Sequence, residues 1–255
     1  SWISTGNEAD VDVAAGLNFL VEDEATEVIG LYIEGVRDGA AFRAAARKAF
    51  ERRKPVMVLK SGRSRQGATA AASHTGALAG DDAYDAIFRQ YNISRSESLT
   101  DMANQADILL KQPRSAGQRV AVISVSGGAG VLMTDAAVSE GLDVPDFTDE
   151  TKEKLAKILP GFATPQNPID LTAQIVMHKT MLREVLQIIS DGTGYDGLLV
   201  FMGGLSQIAE ELADALVSEL PRDMPCALTW QAAPEEAVQQ VRDRGIPVYS
   251  EIGDA

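Results

Sequence analysis

Cysteine and histidine are nearly missing from this chain: its 255 residues include one cysteine, Cys226, and two histidines, His74 and His178. A single thiol excludes an internal disulfide framework and fits a reducing cytoplasm. Cys226 lies in an apolar, strand-like run, which makes it an inert core residue. No run of apolar residues approaches the roughly 20 that a membrane-spanning helix needs. The opening residues, Ser1-Trp2-Ile3-Ser4-Thr5, lack the basic and apolar regions of a signal peptide. Cys/His metal spacing and a Gly-x-Ser-x-Gly elbow are also lacking, so no metal site is expected. Basic residues are in deficit, 23 Lys+Arg against 37 Asp+Glu, for a formal charge of −14. That field disfavours nucleic acid and anionic membranes as partners. It leaves room for a phosphorylated ligand, because backbone N–H groups at a helix N-terminus bind anions locally.

What is present is a regular alternation. Continuous apolar runs of strand length occupy 28–33, 55–60, 119–125, 197–202, 225–230 and 246–249. Between them lie amphipathic segments at 11–22, 40–52, 82–91, 99–111, 131–140, 149–158, 180–190, 207–219 and 234–244. Runs without polar alternation predict strands buried on both faces of a parallel sheet. The chain therefore reads as an α/β protein. The polar, Pro- and Gly-containing stretch Gln112-Pro113-Arg114-Ser115-Ala116-Gly117 predicts a link between two flavodoxin-like, open parallel-sheet domains, residues 1–112 and 113–255. The second opens on a strand, a glycine turn and a helix. The first opens in mid-topology on Ser4-Thr5-Gly6-Asn7, and is expected to lack its N-terminal β/α unit, removed or carried on a separate piece.

Three features can carry chemistry. His74 follows a long basic and small-residue run, residues 60–72, placed after a strand at the carboxyl edge of the sheet. Open α/β folds bind ligands there, and long loops of this kind are usually functional. A neutral imidazole with small neighbours is an accessible nucleophile, although a hydrogen-bonded structural histidine stays open on the residues alone. Glu34 ends the 28–33 strand and can accept a ring N–H; a solvated strand-end acid is equally compatible. Ser126-Gly127-Gly128-Ala129-Gly130, between a strand and a helix, can cradle an oxyanion or serve only close packing. His178 has no glycine neighbours and reads as structural or exposed. Trp2, Phe162 and Trp230 could line a substrate pocket, but core packing is the expectation for each.

Taken together, these segments resemble a known family. Residues 4–12 (Ser-Thr-Gly-Asn-Glu-Ala-Asp-Val-Asp), Leu31-Tyr32-Ile33-Glu34-Gly35, Lys60-Ser61-Gly62-Arg63-Ser64 and Ser73-His74-Thr75-Gly76-Ala77-Leu78-Ala79-Gly80 follow one another as in the NDP-forming acyl-CoA synthetases. These are the ADP-forming acetate–CoA ligase relatives of succinyl-CoA synthetase. Ser126-Gly127-Gly128-Ala129-Gly130-Val131, Asn167-Pro168-Ile169-Asp170 and Gly245-Ile246-Pro247-Val248-Tyr249 agree in the second half. The resemblance implies a phosphohistidine at His74, an orienting glutamate at Glu34, and phosphate contacts from Ser126, Gly127, Gly128 and Ala129. It also implies phosphate held between two helix N-termini, one from each flavodoxin domain.

The reaction implied interconverts acyl-CoA, ADP and phosphate with carboxylic acid, CoA and ATP. It passes through an acyl phosphate and the phosphohistidine. CoA, ADP or ATP and Mg²⁺ would bind mostly on a CoA-binding domain and an ATP-grasp domain, neither of them in this chain, so those domains are the expected partners of a cytoplasmic, oligomeric ligase. The acyl group, a small carboxylic acid, is not marked. Such synthetase-like regions also resemble the ligand-sensing module of some protein acetyltransferases, but a sensor has no need of both His74 and Glu34.

Overall fold

The computed structural model describes residues 2–62, 81–192 and 194–254. Two compact units meet in sequence between Leu110 and Lys111. The first contains α1 (Val13–Glu22), β1 (Ile29–Ile33), α2 (Gly39–Glu51), β2 (Val56–Lys60), α3 (Asp81–Gln90), β3 (Ser94–Arg95) and α4 (Leu99–Lys111). Its three strands pair in parallel in the order β1-β2-β3. Helix starts follow side-chain capping: Asp12 accepts from the Ala15 N–H at 2.8 Å, and Asp38 accepts from Ala40 and Ala41 at 3.0 and 2.9 Å. Leu17, Ile29, Phe42, Val58 and Phe88 belong to its buried core.

One strand differs from expectation. β1 alternates buried and exposed residues, with Tyr32 59% exposed, instead of being covered on both faces. Among the described residues it stands at the edge of the sheet, and a Cβ added at Gly30 would come nearest to the Met102 side chain of α4, at 3.0 Å. Its hydrophobic run reflects β-propensity and one buried face, not two. β3, two residues long, was too short and polar to stand out in the sequence.

The second unit holds β4 (Val120–Ser124), α5 (Gly127–Ser139), α6 (Asp149–Leu155), β5 (Ile169–Asp170), α7 (Met181–Ser190), β6 (Gly197–Gly203), α8 (Ala209–Glu219), β7 (Cys226–Gln231), α9 (Glu235–Asp243) and β8 (Val248–Tyr249). All five strands are parallel, in the order β5-β4-β6-β7-β8. Renumbered within the unit this is 2-1-3-4-5, the doubly wound flavodoxin order. β4 is buried throughout, and alternate residues serve opposite faces. Val120 and Val122 pack with Met133 and Ala137 of α5, while Ala121 and Ile123 join the larger core under α6 to α9. The α/β fold with two parallel sheets agrees with the sequence.

Helix α5 begins four residues before the expected 131–140. The glycines at 127, 128 and 130 lie inside its first turns rather than in a loop before it. Gly130 explains why: a Cβ there would stand 3.4 Å from the Ser124 Cβ and 3.5 Å from that of Pro168. The absent side chain lets α5 seat directly on β4.

Candidate functional site

In the first unit, three of the segments singled out above converge, through their described residues, at the carboxyl edge of the sheet. Parallel pairing sets Ile33 beside Lys60, and the Ser61 N–H donates to the Ile33 carbonyl at 3.0 Å. Glu34, half-buried, therefore leaves β1 next to the end of β2. Lys60 is only 7% exposed, its ammonium donates to the Ser61 carbonyl, and it lies 5.0 Å from the Tyr84 ring centre. Burial pushes the Lys60 ammonium below the usual lysine range, as does nearby Arg95, while the carboxylates of Asp81 and Glu34 oppose the shift. The Tyr84 hydroxyl accepts the Val36 N–H at 3.1 Å, two residues beyond Glu34. Burial raises the Tyr84 phenol, and the charges of Asp81 and Glu8 add to that effect against the Val36 bond.

Arg95 binds Asp81 through both carboxylate oxygens at 2.8 and 2.9 Å and also donates to Asp85, tying β3 to the start of α3. Burial works against its charge, but these two carboxylates outweigh it and raise the guanidinium. The N-terminal segment joins through Arg37, which donates to the Glu8 carbonyl at 3.2 Å. His74 lies outside the described residues. Its flanks, Gly62 and Asp81, both stand at this edge.

In the second unit, Ser126 caps α5 with extended backbone (φ −146°, ψ 122°), yet its hydroxyl makes no capping bond. The amides of Gly127, Gly128 and Ala129 donate to no carbonyl or side chain among the described residues. Ser124 stiffens the turn instead, accepting the Ser126 N–H at 3.0 Å and donating to its carbonyl at 2.7 Å. An open helix N-terminus with oriented donors is suited to an oxyanion. It follows β4, the strand at which the sheet order reverses, where doubly wound folds bind ligands.

The same edge concentrates backbone strain. Thr172, Leu205 and Ala232 have φ of 56°, 64° and 54°, and each closely follows a different strand, β5, β6 or β7. Thr172, with ψ 179°, holds a conformation nearly confined to glycine, at a cost of about 1–3 kcal/mol. Asp170 accepts the Thr172 N–H at 2.8 Å through Oδ1, and its Oδ2 lies 3.0 Å from where a Gly127 Cβ would sit. Strain of this order persists only where surrounding structure enforces it, and it clusters at functional sites.

Structure corrects two expectations. Trp2 and Phe162 are 92% and 71% exposed and do not pack in a core, whereas Trp230 does, at 3%. Large aromatics usually stay inside, but Phe162 sits in the turn after α6, where it stays exposed among the described residues. His178 is exposed and Cys226 buried, both as expected. The placement of Lys60, Tyr84, Asp170 and Thr172 at these sheet edges was not read from the sequence. A lysine closing a buried strand was the available signal for the first; Tyr84 and Thr172 have none, because they depend on contacts distant in sequence. Gly192-Thr193-Gly194-Tyr195-Asp196-Gly197 spells G-x-G-x-x-G, but it leads into β6 rather than from a strand into a helix, so it lacks the dinucleotide context.

Comparison with known proteins agrees with the fold. Residues 1–109 match the succinyl-CoA ligase like flavodoxin domain, and residues 120–185 match the Ligase-CoA domain. The acetate–CoA ligase [ADP-forming] I subunit alpha of Pyrococcus furiosus is 35% identical, the alignment covering 98% of this chain and 54% of the relative. The acetate–CoA ligase [ADP-forming] I of Archaeoglobus fulgidus is 36% identical over 97% of this chain and 35% of its own length. An acetyl-coenzyme A synthetase 1 from Ca. Korarchaeum cryptofilum, solved in complex with phosphate and ADP, superposes with a TM-score of 0.85 at 30% identity, over 99% of this chain and 56% of that one. The fold and these matches thus define a pair of succinyl-CoA-synthetase-like CoA-ligase domains. The chain belongs to the NDP-forming (ADP-forming) acyl-CoA synthetase family. It spans between about a third and just over half the length of these relatives.

Proposed function

We propose that this chain supplies the phosphotransfer domains of an ADP-forming acyl-CoA synthetase, with residues 1–112 carrying the phosphohistidine and residues 113–255 the phosphate-binding helix. The carrying observation is the uncapped N-terminus of α5 at the switch point of a flavodoxin-ordered sheet. In this reading the Ser126 hydroxyl and the amides of Gly127, Gly128 and Ala129 hold inorganic phosphate. A phosphate oxygen attacks the thioester carbonyl and the C–S bond breaks, giving acyl phosphate and CoA thiolate. The neutral imidazole of His74 then attacks phosphorus, releasing the carboxylate, and the phosphoryl group passes from nitrogen to ADP. Each step is reversible, so the assembly can also activate a small carboxylic acid.

The chemistry of the donors suits this role. A phosphoryl group is doubly charged, and in a chain of net charge −14 helix-terminal amides stabilise it without a lysine cluster. Glu34 is proposed to accept the His74 ring N–H that remains, which keeps the attacking nitrogen unprotonated. CoA, nucleotide and Mg²⁺ are assigned to partner domains or subunits, which accounts for a covalent carrier: the two chemistries occur on separate bodies. The test uses the whole enzyme, with its CoA-binding and nucleotide-binding domains. Incubation with Mg-ATP is expected to leave an acid-labile phosphate on His74 by mass spectrometry. A wild type without label, or full activity in His74→Ala, would sink the reading.

A further inference from the structure

We infer that Tyr84 and Lys60 are positioning residues for Glu34, a bracket that sets the carboxylate at the end of β1. The inference deepens the phosphotransfer reading and rests on it, since Glu34 needs fixing only if it has a partner to orient. Glu34 itself is half-buried on a turn, Glu34-Gly35-Val36, that no strand continues. Left alone, such a turn samples several backbone conformations. Two contacts from other elements restrain it.

The first is Tyr84, on the opening turns of α3. It is 5% exposed, and its hydroxyl accepts the Val36 N–H at 3.1 Å across 48 residues of sequence. The second is Lys60, whose buried ammonium rests over the same Tyr84 ring at 5.0 Å and donates to the Ser61 carbonyl. Ser61 in turn is bonded to Ile33, the residue before Glu34. The turn is thus held on its near side through Ile33 and on its far side through Val36. The charged groups around the ammonium are Asp81, Arg95 and Glu34, in falling order of influence; Arg95 is itself paired with Asp81 and Asp85, and the ammonium faces the carboxylates of both Asp81 and Glu34. A lysine this buried is costly to keep unless its charge is used. Here the charge is used: the ammonium rests over the Tyr84 ring and balances the carboxylates of Asp81, at the start of α3, and Glu34, at the end of β1.

A double-mutant cycle on the whole enzyme separates positioning from plain stabilisation. Tyr84→Phe removes only the acceptor for Val36, and is expected to slow His74 phosphorylation by about 5- to 10-fold, the scale of one hydrogen bond. In a Glu34→Gln background the same change is expected to have no further effect. Equal losses in both backgrounds, or none in either, overturn the inference while leaving phosphorylation by the wild type, and hence the broader reading, intact. A wild type that takes no phosphate removes both. Should Tyr84→Phe fail to fold, Lys60→Met enters the same cycle with the same two outcomes, and Lys60→Arg is expected to recover most of the rate. Hydrogen exchange supplies an independent readout: the Val36 amide is expected to exchange faster in Tyr84→Phe, and unchanged protection counts against the bracket.

Discussion

At the scale of single residues, environment decides reactivity, and Cys226 shows it as clearly as the candidate site. Its thiol begins β7 and is 2% exposed. Burial pushes it up to about 12, with nearby Arg244 pulling slightly the other way. The nucleophilic thiolate is therefore nearly absent at neutral pH. Iodoacetamide at pH 8 is expected to leave Cys226 unmodified in the native protein and to label it once urea unfolds the chain. Rapid labelling of the folded protein would contradict this. The same reasoning distinguishes the two histidines only through their neighbours: exposed His178 has no shaped surroundings, while His74 lies in a segment whose flanks are pinned beside Glu34 and Lys60. Nothing at 84 in the sequence marks a tyrosine that reaches back 48 residues to a backbone amide.

At the scale of elements, ion pairs and amide side chains hold the strand entrances that bring site residues to the edge. Asn167, in the Asn-Pro-Ile-Asp run, donates to the Val120 and Pro145 carbonyls at 2.9 and 2.8 Å and accepts from Val122 at 2.8 Å, so it stitches β4 to the segment that leads to Asp170. At the start of β4, Asp196 accepts from the Arg119 amide and Nε, both at 3.0 Å. The Arg119 side-chain bond, more than any other cause, holds the Asp196 carboxyl below the usual carboxylate range. A depressed carboxylate contributes stability above its unfolded value of about 3.9, and loses it as pH falls through the folded value. Asp196→Asn is therefore expected to melt lower than wild type at pH 7, with the gap shrinking by pH 3. Thermal melts at both values check the sign, and a constant gap would refute it.

At the scale of the whole molecule, each unit has a core of its own, and the second is the larger. Leu182 of α7 is fully buried in it, in the same cluster as Val185, Leu186 and residues of β4 and β6. Leu182→Ala is expected to cost about 2–5 kcal/mol, read as faster amide exchange in β4 and β6 and a lower urea midpoint. An effect below about 1 kcal/mol would mean that the core closes around the cavity. The strong negative charge bears on neither core; in the proposed function it is the reason that anion binding is assigned to oriented amides.

The sequence by itself determined the fold class, the parallel sheets, most element positions and the identity of the family. These rest on local and periodic signals: apolar runs of strand length, helical stripes, and short motifs whose chemistry is carried by adjacent residues. Only the tertiary structure decided the flavodoxin strand order, the entry of the glycines into α5, the open face of β1 and the strained turns at the second edge. It alone brought Tyr84, Lys60 and Glu34 to one place. The reason is physical: pairing order, close helix–strand approach and the burial of a charge are set by partners tens of residues away, and no local pattern encodes which partner arrives.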